Sequence, residues 1–273
     1  MKEFELIKQF FSEQEVKRKD VLLGIGDDCA VITSTENQNI VVTTDTLVSG
    51  VHFPVDTPAK AIGHKAVAVN LSDIAAMGAK PQWMTMALSL PSALAHGEWL
   101  SSFGESLKAS CDQYQIALIG GDTTRSEQLV ISLTVMGEPV SSFSADSRIE
   151  PQSTKRPGQV ITRSNAKIGD DVWVSGELGK GAAALAVLND SELSASLKHQ
   201  SSTLHKQLLD SFYAPKPRLE LGQQLVAIAS SAIDISDGLV ADATHIASQS
   251  DACLNLSFSS IPVHSAIHLM DCD

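Results

Sequence analysis

Aromatic residues are scarce in this chain, 5% of 273 residues, and only two of them are tyrosines. That leaves too few rings for a platform on which single-stranded nucleic acid could stack. Positive charge is also in short supply: 20 lysines and arginines face 32 aspartates and glutamates, a formal net charge of -12. A general nucleic-acid or anionic-membrane surface needs a basic patch, so neither is expected as a partner. An anionic substrate is not excluded, because bound divalent cations invert the local sign. No uninterrupted apolar run reaches the roughly 18 residues of a membrane span. The opening "MKEFELIKQFF" keeps its charges, unlike a signal peptide, and reads as a short amphipathic helix with Phe4, Ile7, Phe10 and Phe11 on one side. Cysteines are few (Cys29, Cys111, Cys253 and Cys272) and form no CxxC pair, which fits a reducing cytoplasm.

What is present is an ordinary globular composition, 43% hydrophobic and 19% charged, in a length that suits two modest domains or one large one. Residues 39–48, rich in β-branched side chains, read as a strand. A helix is expected over 58–78, with Pro58 in its first turn and Gly78 at its end. Then come a strand at 82–90, a helix at 94–114, a short buried strand "IALIGG" and a strand at 129–137. Residues 138–160 are polar and rich in Ser and Pro, as in a linker or mobile loop. Beyond it, "DDVWVSG" and "ACLNLSF" read as strands, and 180–190, 201–212, 217–230 and 239–249 as helices. Both halves mix strands and helices, so the class is α/β or α+β, divided into 1–148 and 149–273.

The acidic residues are not scattered. Asp27 and Asp28 in "GIGDDCA", Asp45 in "VVTTDTL", Asp73 in "AVNLSDIAAMGA", Asp122 in "GGDTT", and Asp234 with Asp237 in "AIDISDGL" each fall at a strand end or on the inner side of a helix. Asn70 and Asp73 are three apart and share a helix face. Any one of these could be an N-cap or an Asx turn. Together, carboxylates gathered at buried-looking junctions repel one another and lose hydration, and a shared cation relieves both costs. Oxygen ligands of this kind suit Mg²⁺, which keeps several waters and bridges carboxylates to substrate phosphates. Thr43, Thr44 and Ser236 add oxygens beside them. His264 and His268 are four apart but lack a zinc-binding partner motif. "GELGKGAA" lacks the spacing and final hydroxyl of a Walker A loop and reads as a strand-to-helix turn. "IGGDTTR" is the better phosphate candidate: its two glycines let backbone approach an anion, with Arg125 and Arg163 as possible partners.

In this order, "LGIGDDCAV", "TTDTLVSGVHF", "KAVAVNLSDIAAMGAKP", "LIGGDTTR", "ITRSNAKIGDDVWVSG" and "SAIDISDGL" resemble the thiamine-monophosphate kinase family. The "VNLSDIAAMGA" run is shared with the wider ATP-binding superfamily of aminoimidazole ribonucleotide synthetase, selenophosphate synthetase and a hydrogenase-maturation protein. The resemblance covers nearly the whole chain. It implies transfer of the γ-phosphoryl group of ATP to thiamine phosphate, a homodimer built on the mixed sheet of the N-terminal domain, and ATP in a cleft between the two domains. Carried over motif by motif, it implies that Asp28, Thr43, Thr44, Asp45, Asp73, Asp122, Asp234 and Asp237 form a shell for several Mg²⁺ ions. Gly121, Asp122, Arg163, Ser236 and Tyr114 are implied as ATP contacts, and His52 as a contact to thiamine phosphate.

A phosphate monoester is largely ionised at neutral pH, its second pKa being about 6, so direct in-line transfer without a strong base or a phosphoenzyme is expected. The chain ends at Asp273, before the family's "GGEDYEL"-like segment and C-terminal aromatic. The expectation is therefore an incomplete C-terminal domain that binds Mg-ATP and phosphorylates thiamine phosphate poorly. The competing readings are a superfamily enzyme with another acceptor and a shortened, non-catalytic nucleotide-binding paralogue.

Overall fold

The computed structural model describes residues 9–10, 18–23, 31–34, 39–95, 97–140, 160–226 and 228–270. Two short strands, β1 (Val21–Leu23) and β2 (Val31–Ile32), pair antiparallel. The first half is then organised by a four-stranded mixed sheet. Its strands are β3 (Val41–Val48), β4 (Ala79–Leu90), β5 (Ala117–Arg125) and β6 (Val130–Pro139), in the order β3-β6-β4-β5. Helix α1 (Ala59–Ala76) connects β3 to β4, and α2 (Gly97–Tyr114) is the crossover that lets β4 and β5 run parallel. The remaining neighbours are antiparallel.

Period-two alternation decides the faces of this sheet. Met84, Met86, Leu88 and Leu90 of β4, with Ile131, Leu133 and Val135 of β6, are buried against Ile62, Leu71 and Ile74 of α1 and Phe103 and Leu107 of α2. The opposite face carries small polar side chains. There the Thr44 and Thr134 hydroxyls meet at 2.8 Å, and those of Thr46 and Ser132 at 2.7 Å. One end of that face is covered by a small apolar cluster in which Val21 and Ile32 pack on Trp83, Ala117 and Ile119.

The second half is mainly helical: α3 (Lys180–Asn189), α4 (Ser191–Gln200), α5 (Ser202–Tyr213), α6 (Leu219–Leu225) and α7 (Leu239–Gln249). Its own core gathers Ala184, Val187, Leu197, Leu208, Ala266 and Met270. Phe212 packs against both cores, and Ile161 N–H donates to the Met77 carbonyl at 3.0 Å.

Sequence and structure agree on the order strand, helix, strand, helix, strand, strand across the first half. They differ in the second. Neither 170–176 nor 252–258 forms a strand among the described residues. Their alternation supplies β-propensity, but a strand persists only with a hydrogen-bonded neighbour, and here Trp173 is 87% and Phe258 90% exposed. Helix α4 is an element the periodicity does not single out. It starts after a single intervening residue, because Asp190 accepts from the N–H groups of Glu192 and Leu193 at 2.9 and 3.0 Å and caps it. Helix α6 is shorter than the expected 217–230. Strand β6 runs into the expected linker, with Glu138 buried. Residues 141–159 of that linker, and Phe4, Ile7 and Phe11 of the amphipathic start, lie outside the described residues. Among the described residues no helix is long and apolar enough to cross a membrane.

Candidate active site

The site is built where β3, α1 and the 231–238 segment meet. On β3, residues 43 and 45 face α1. Asn70 of α1, itself buried, accepts from the Asp45 N–H at 3.0 Å and donates to the Ala66 carbonyl at 3.0 Å. One turn on, Thr43 donates its hydroxyl to Asp73 Oδ2 at 2.6 Å. The i, i+3 pair on α1 therefore holds β3 at two successive inward positions.

Asp234 arrives from the second half. The Ala232 N–H donates to the Thr162 carbonyl at 3.2 Å, which lays this segment beside 160–163. Burial raises the Asp234 carboxyl above the usual carboxylate range. The charges of Asp73 and Asp242 add to the rise, while a hydrogen bond from Ser72 and the charge of Arg163 oppose it. Burial likewise raises Asp45, helped by the charges of Asp73 and Asp234 and opposed by His52. Asp45, Asp73 and Asp234 thus feel one another, with Arg163 and His52 close enough to matter.

These three carboxylates fit a hard divalent cation in donor chemistry. Among the described residues, however, no three His, Cys, Asp or Glu groups stand close enough to hold one ion by themselves. An ion held here would need waters or phosphate oxygens as further ligands.

The other expected residues fall into three groups. Asp28, with Asp27, lies outside the described residues. Ser236 and Asp237 are exposed on a loop whose shape is set by Asp242: its buried Oδ2 accepts from the N–H groups of Ser236, Asp237 and Gly238 at 3.0, 3.2 and 3.1 Å. Asp242 was not among the residues singled out above. The signal for it is an acid in the first turn of a helix, directly after a Ser-Asp-Gly loop. Within one chain, Thr44, Gly121, Asp122 and Tyr114 do not join the cluster. Thr44 points to the opposite face of the sheet, onto Thr134. Asp45 lies in one row with Leu133, Met86 and Gly121, but β3 and β5 are opposite edges of the sheet. Three strand spacings, about 14 Å, separate them. A Cβ on Gly121 would come 2.0 Å from the Met86 carbonyl, so this edge admits no side chain there. Tyr114 ends α2 and packs partly buried on the first core, which raises its phenol pKa.

His52 follows β3 in a turn. Its Nδ1 accepts from the Val48 N–H at 3.0 Å, which places the ring proton on Nε2 and leaves that edge free to donate. His264 is buried and accepts from the Ala266 N–H at 3.3 Å, a helix-capping role.

A four-stranded mixed sheet backed by two helices, with carboxylates on its inner edge, defines the class. Residues 26–138 match the family model "AIR synthase related protein, N-terminal domain". The chain is 40% identical over 265 residues to the thiamine-monophosphate kinase of Escherichia coli (strain K12), a match that spans 97% of this chain and 74% of the relative. The crystal structure of thiamine-monophosphate kinase from Stenotrophomonas maltophilia K279a superposes with a TM-score of 0.78 at 42% identity, covering 96% of this chain and 77% of that one. AaThiL, solved in complex with AMPPCP and TMP, superposes with a TM-score of 0.74 at 29% identity, covering 87% and 69%. The chain belongs to the thiamine-monophosphate kinase family.

Proposed function

We infer that this chain transfers the γ-phosphoryl group of ATP to thiamine phosphate, forming thiamine diphosphate and ADP. The observation that carries this reading is the 40% identity sustained over 97% of the chain to a kinase with that acceptor in its name, and the acidic cluster supports it independently. Asp45, Asp73 and Asp234, with Thr43 beside them, are the residues that would hold Mg²⁺; Asp28 and Asp237 are assigned to the same shell, and Thr44 and Asp122, which lie on the opposite face and the far edge of the sheet, are assigned to it only across the homodimer proposed below. When bound, such ions supply the positive charge that lets two phosphate groups approach. The chain's own residues then bind and align. Gly121, Asp122, Arg163, Ser236 and Tyr114 are assigned to ATP, with Arg163 near enough to Asp234 for its charge to act there. His52 is assigned to the acceptor, through its free Nε2–H. The acceptor phosphate is ionised at neutral pH, so alignment does the work of a base and transfer is in line.

The proposed unit is a homodimer. Support comes from the sheet: among the described residues β3 and β5 are both edges, and no helix lies on the face bearing Thr44, Thr46, Ser132 and Thr134. Pairing of β5 on one copy with β3 on the other would bring the strand that carries Asp122 beside the strand that carries Asp45. The two separate cores support the division into 1–148 and 149–273. Free thiols at Cys111 and Cys253 accord with a cytoplasmic setting.

The test is ADP release by the purified chain with Mg²⁺, with and without thiamine phosphate. Acceptor-dependent ADP, thiamine diphosphate as product and inversion at phosphorus are expected. ATP binding without turnover on thiamine phosphate would overturn the reading, and net retention at phosphorus would overturn direct transfer.

A further inference from the structure

The catalytic reading leaves Lys65 without a role, yet its surroundings are unusual. It lies on α1, eight residues before Asp73. Its Nζ stands 3.4 Å from the centroid of the Phe212 ring and donates to the His52 carbonyl at 3.3 Å. No carboxylate among the described residues pairs with it, and burial pushes its amine down to about 8. A lysine that loses hydration without gaining a counter-ion is costly to keep. A ring face and a carbonyl are what offset that cost here.

Both contacts lead somewhere. Phe212, on α5, is packed against the sheet core and the helical core alike. His52 belongs to the turn that leaves β3, where its N–H donates to the Val48 carbonyl at 2.9 Å and Gly50 N–H donates to that of Phe53 at 2.8 Å. The turn is anchored at its two ends, where Ser49 N–H donates to the Leu129 carbonyl at 3.0 Å, Gln128 Nε2 donates to the Ser49 carbonyl at 2.7 Å and Phe53 is buried in the sheet core. Between those ends the Lys65 ammonium holds the His52 backbone, to α1 through its own backbone and to α5 through the ring. The same turn carries the His52 imidazole, which stands near enough to Asp45 to act on its carboxyl.

We propose that Lys65 is a positioning residue for the phosphate acceptor: by bridging the His52 carbonyl to the face of Phe212, its ammonium sets where the His52 imidazole stands relative to Asp45 and Asp73. The proposal rests on the assignment of His52 to the acceptor. It adds that the second half of the chain governs acceptor binding at a distance, through a contact to the first half that touches neither substrate.

The experiment measures dissociation constants for thiamine phosphate, in the presence of Mg²⁺ and AMPPCP, and for AMPPCP alone with Mg²⁺. The variants are K65M, K65R, H52A and K65M/H52A. K65M is expected to weaken thiamine phosphate binding about tenfold, the order set by one charge-assisted hydrogen bond, and to leave AMPPCP within about twofold. K65R, which still donates and still stacks on a ring, recovers most of the loss. In the H52A background K65M adds nothing, because the ring it positions is gone. Equal losses for both ligands, a K65M affinity at the wild-type value, or a K65M loss that adds in full to that of H52A would overturn the proposal. A loss in H52A with none in K65M overturns it alone, whereas an unchanged affinity in H52A removes the assignment of His52 and the proposal with it. Should K65M give no cooperative melt, K65L replaces it, since it too removes both the charge and the donor.

Discussion

Thr43 and Asp73, thirty residues apart in the chain, are joined by a hydroxyl-to-carboxylate hydrogen bond of 2.6 Å. This bond aims one carboxylate oxygen of α1 at the inner edge of β3. Thr43→Val keeps the β-branched shape that suits a strand and removes the donor, so Asp73 is free to turn. Mg²⁺-dependent turnover is expected to fall about 10–100-fold, the usual range for an outer partner of a metal ligand, with little change in melting temperature. Thr43→Ser keeps the hydroxyl and most of the activity. Equal turnover in Thr43→Val and wild type would remove this bond from the mechanism.

The cluster also sets a conflict between stability and activity. Asp45 and Asp234 both have carboxyl groups raised by burial and by neighbouring carboxylates. A raised carboxyl means that the folded state holds its proton more tightly than the unfolded state does. The charged form is therefore penalised in the fold at every pH above the folded value, and the penalty disappears below the unfolded value of about 3.9. Without Mg²⁺, Asp45→Asn is expected to melt higher than wild type near neutral pH, and the difference to shrink as pH falls through the carboxylate range. Added Mg²⁺ reverses the order, since ligand binding stabilises only the chain that can hold it. Turnover is lost in the variant. A melting temperature below wild type in the metal-free comparison at neutral pH would contradict this account.

Much of this site is legible in the sequence because it depends on short periods. Strand alternation places Thr43 and Asp45 on one face, and the helical i, i+3 rule places Asn70 with Asp73. Strand order is another matter. Asp45 and Asp122 both stand in motifs of the same acidic pattern, yet they sit on opposite edges of the sheet. Which strands become neighbours depends on distant pairings that no local period encodes. Alternation also places Thr44 away from Thr43, a consequence that the run "TTD" disguises. Asp242 and Lys65 escape for a related reason: each acts on backbone groups, through three N–H donors and through one carbonyl. Such roles leave no motif of paired side chains. The segments 170–176 and 252–258 have the composition of strands and lack the neighbours.

The edge positions of Asp45 and Asp122 give a direct test of the dimer. If each site takes Asp45 from one copy and Asp122 from the other, Asp45→Asn and Asp122→Asn homodimers are both inactive. A hybrid of the two has one doubly altered site and one intact site. Mixing the variants in equal amounts after dissociation is expected to restore about a quarter of wild-type activity, because half of the dimers are hybrids with one working site. Either variant alone stays inactive. No recovery from a mixture shown to exchange subunits would mean that both residues serve the same copy's site, or that the site needs no partner.

The junction that delivers Asp234 depends on Gly222. A Cβ at this position of α6 would lie 2.0 Å from the Ala75 carbonyl oxygen and 2.8 Å from its carbon. The obstacle is helix backbone, which cannot swing aside as the end of a side chain can. Val226, at the end of the same helix, packs within reach of Gly78, so α6 is held to the end of α1 at two points. Gly222→Ala must lift α6 off α1, and such overpacking costs about 1–3 kcal/mol. For a chain of this size that is a fall in melting temperature of about 2–10 °C. The displaced segment leads through Ala232 to Asp234, so Mg²⁺-dependent turnover should fall as well, by more than the loss of folded protein accounts for. A variant that melts with wild type would show that α6 and α1 separate freely, and the carboxylate of Asp234 would then need another explanation for its place beside Asp73.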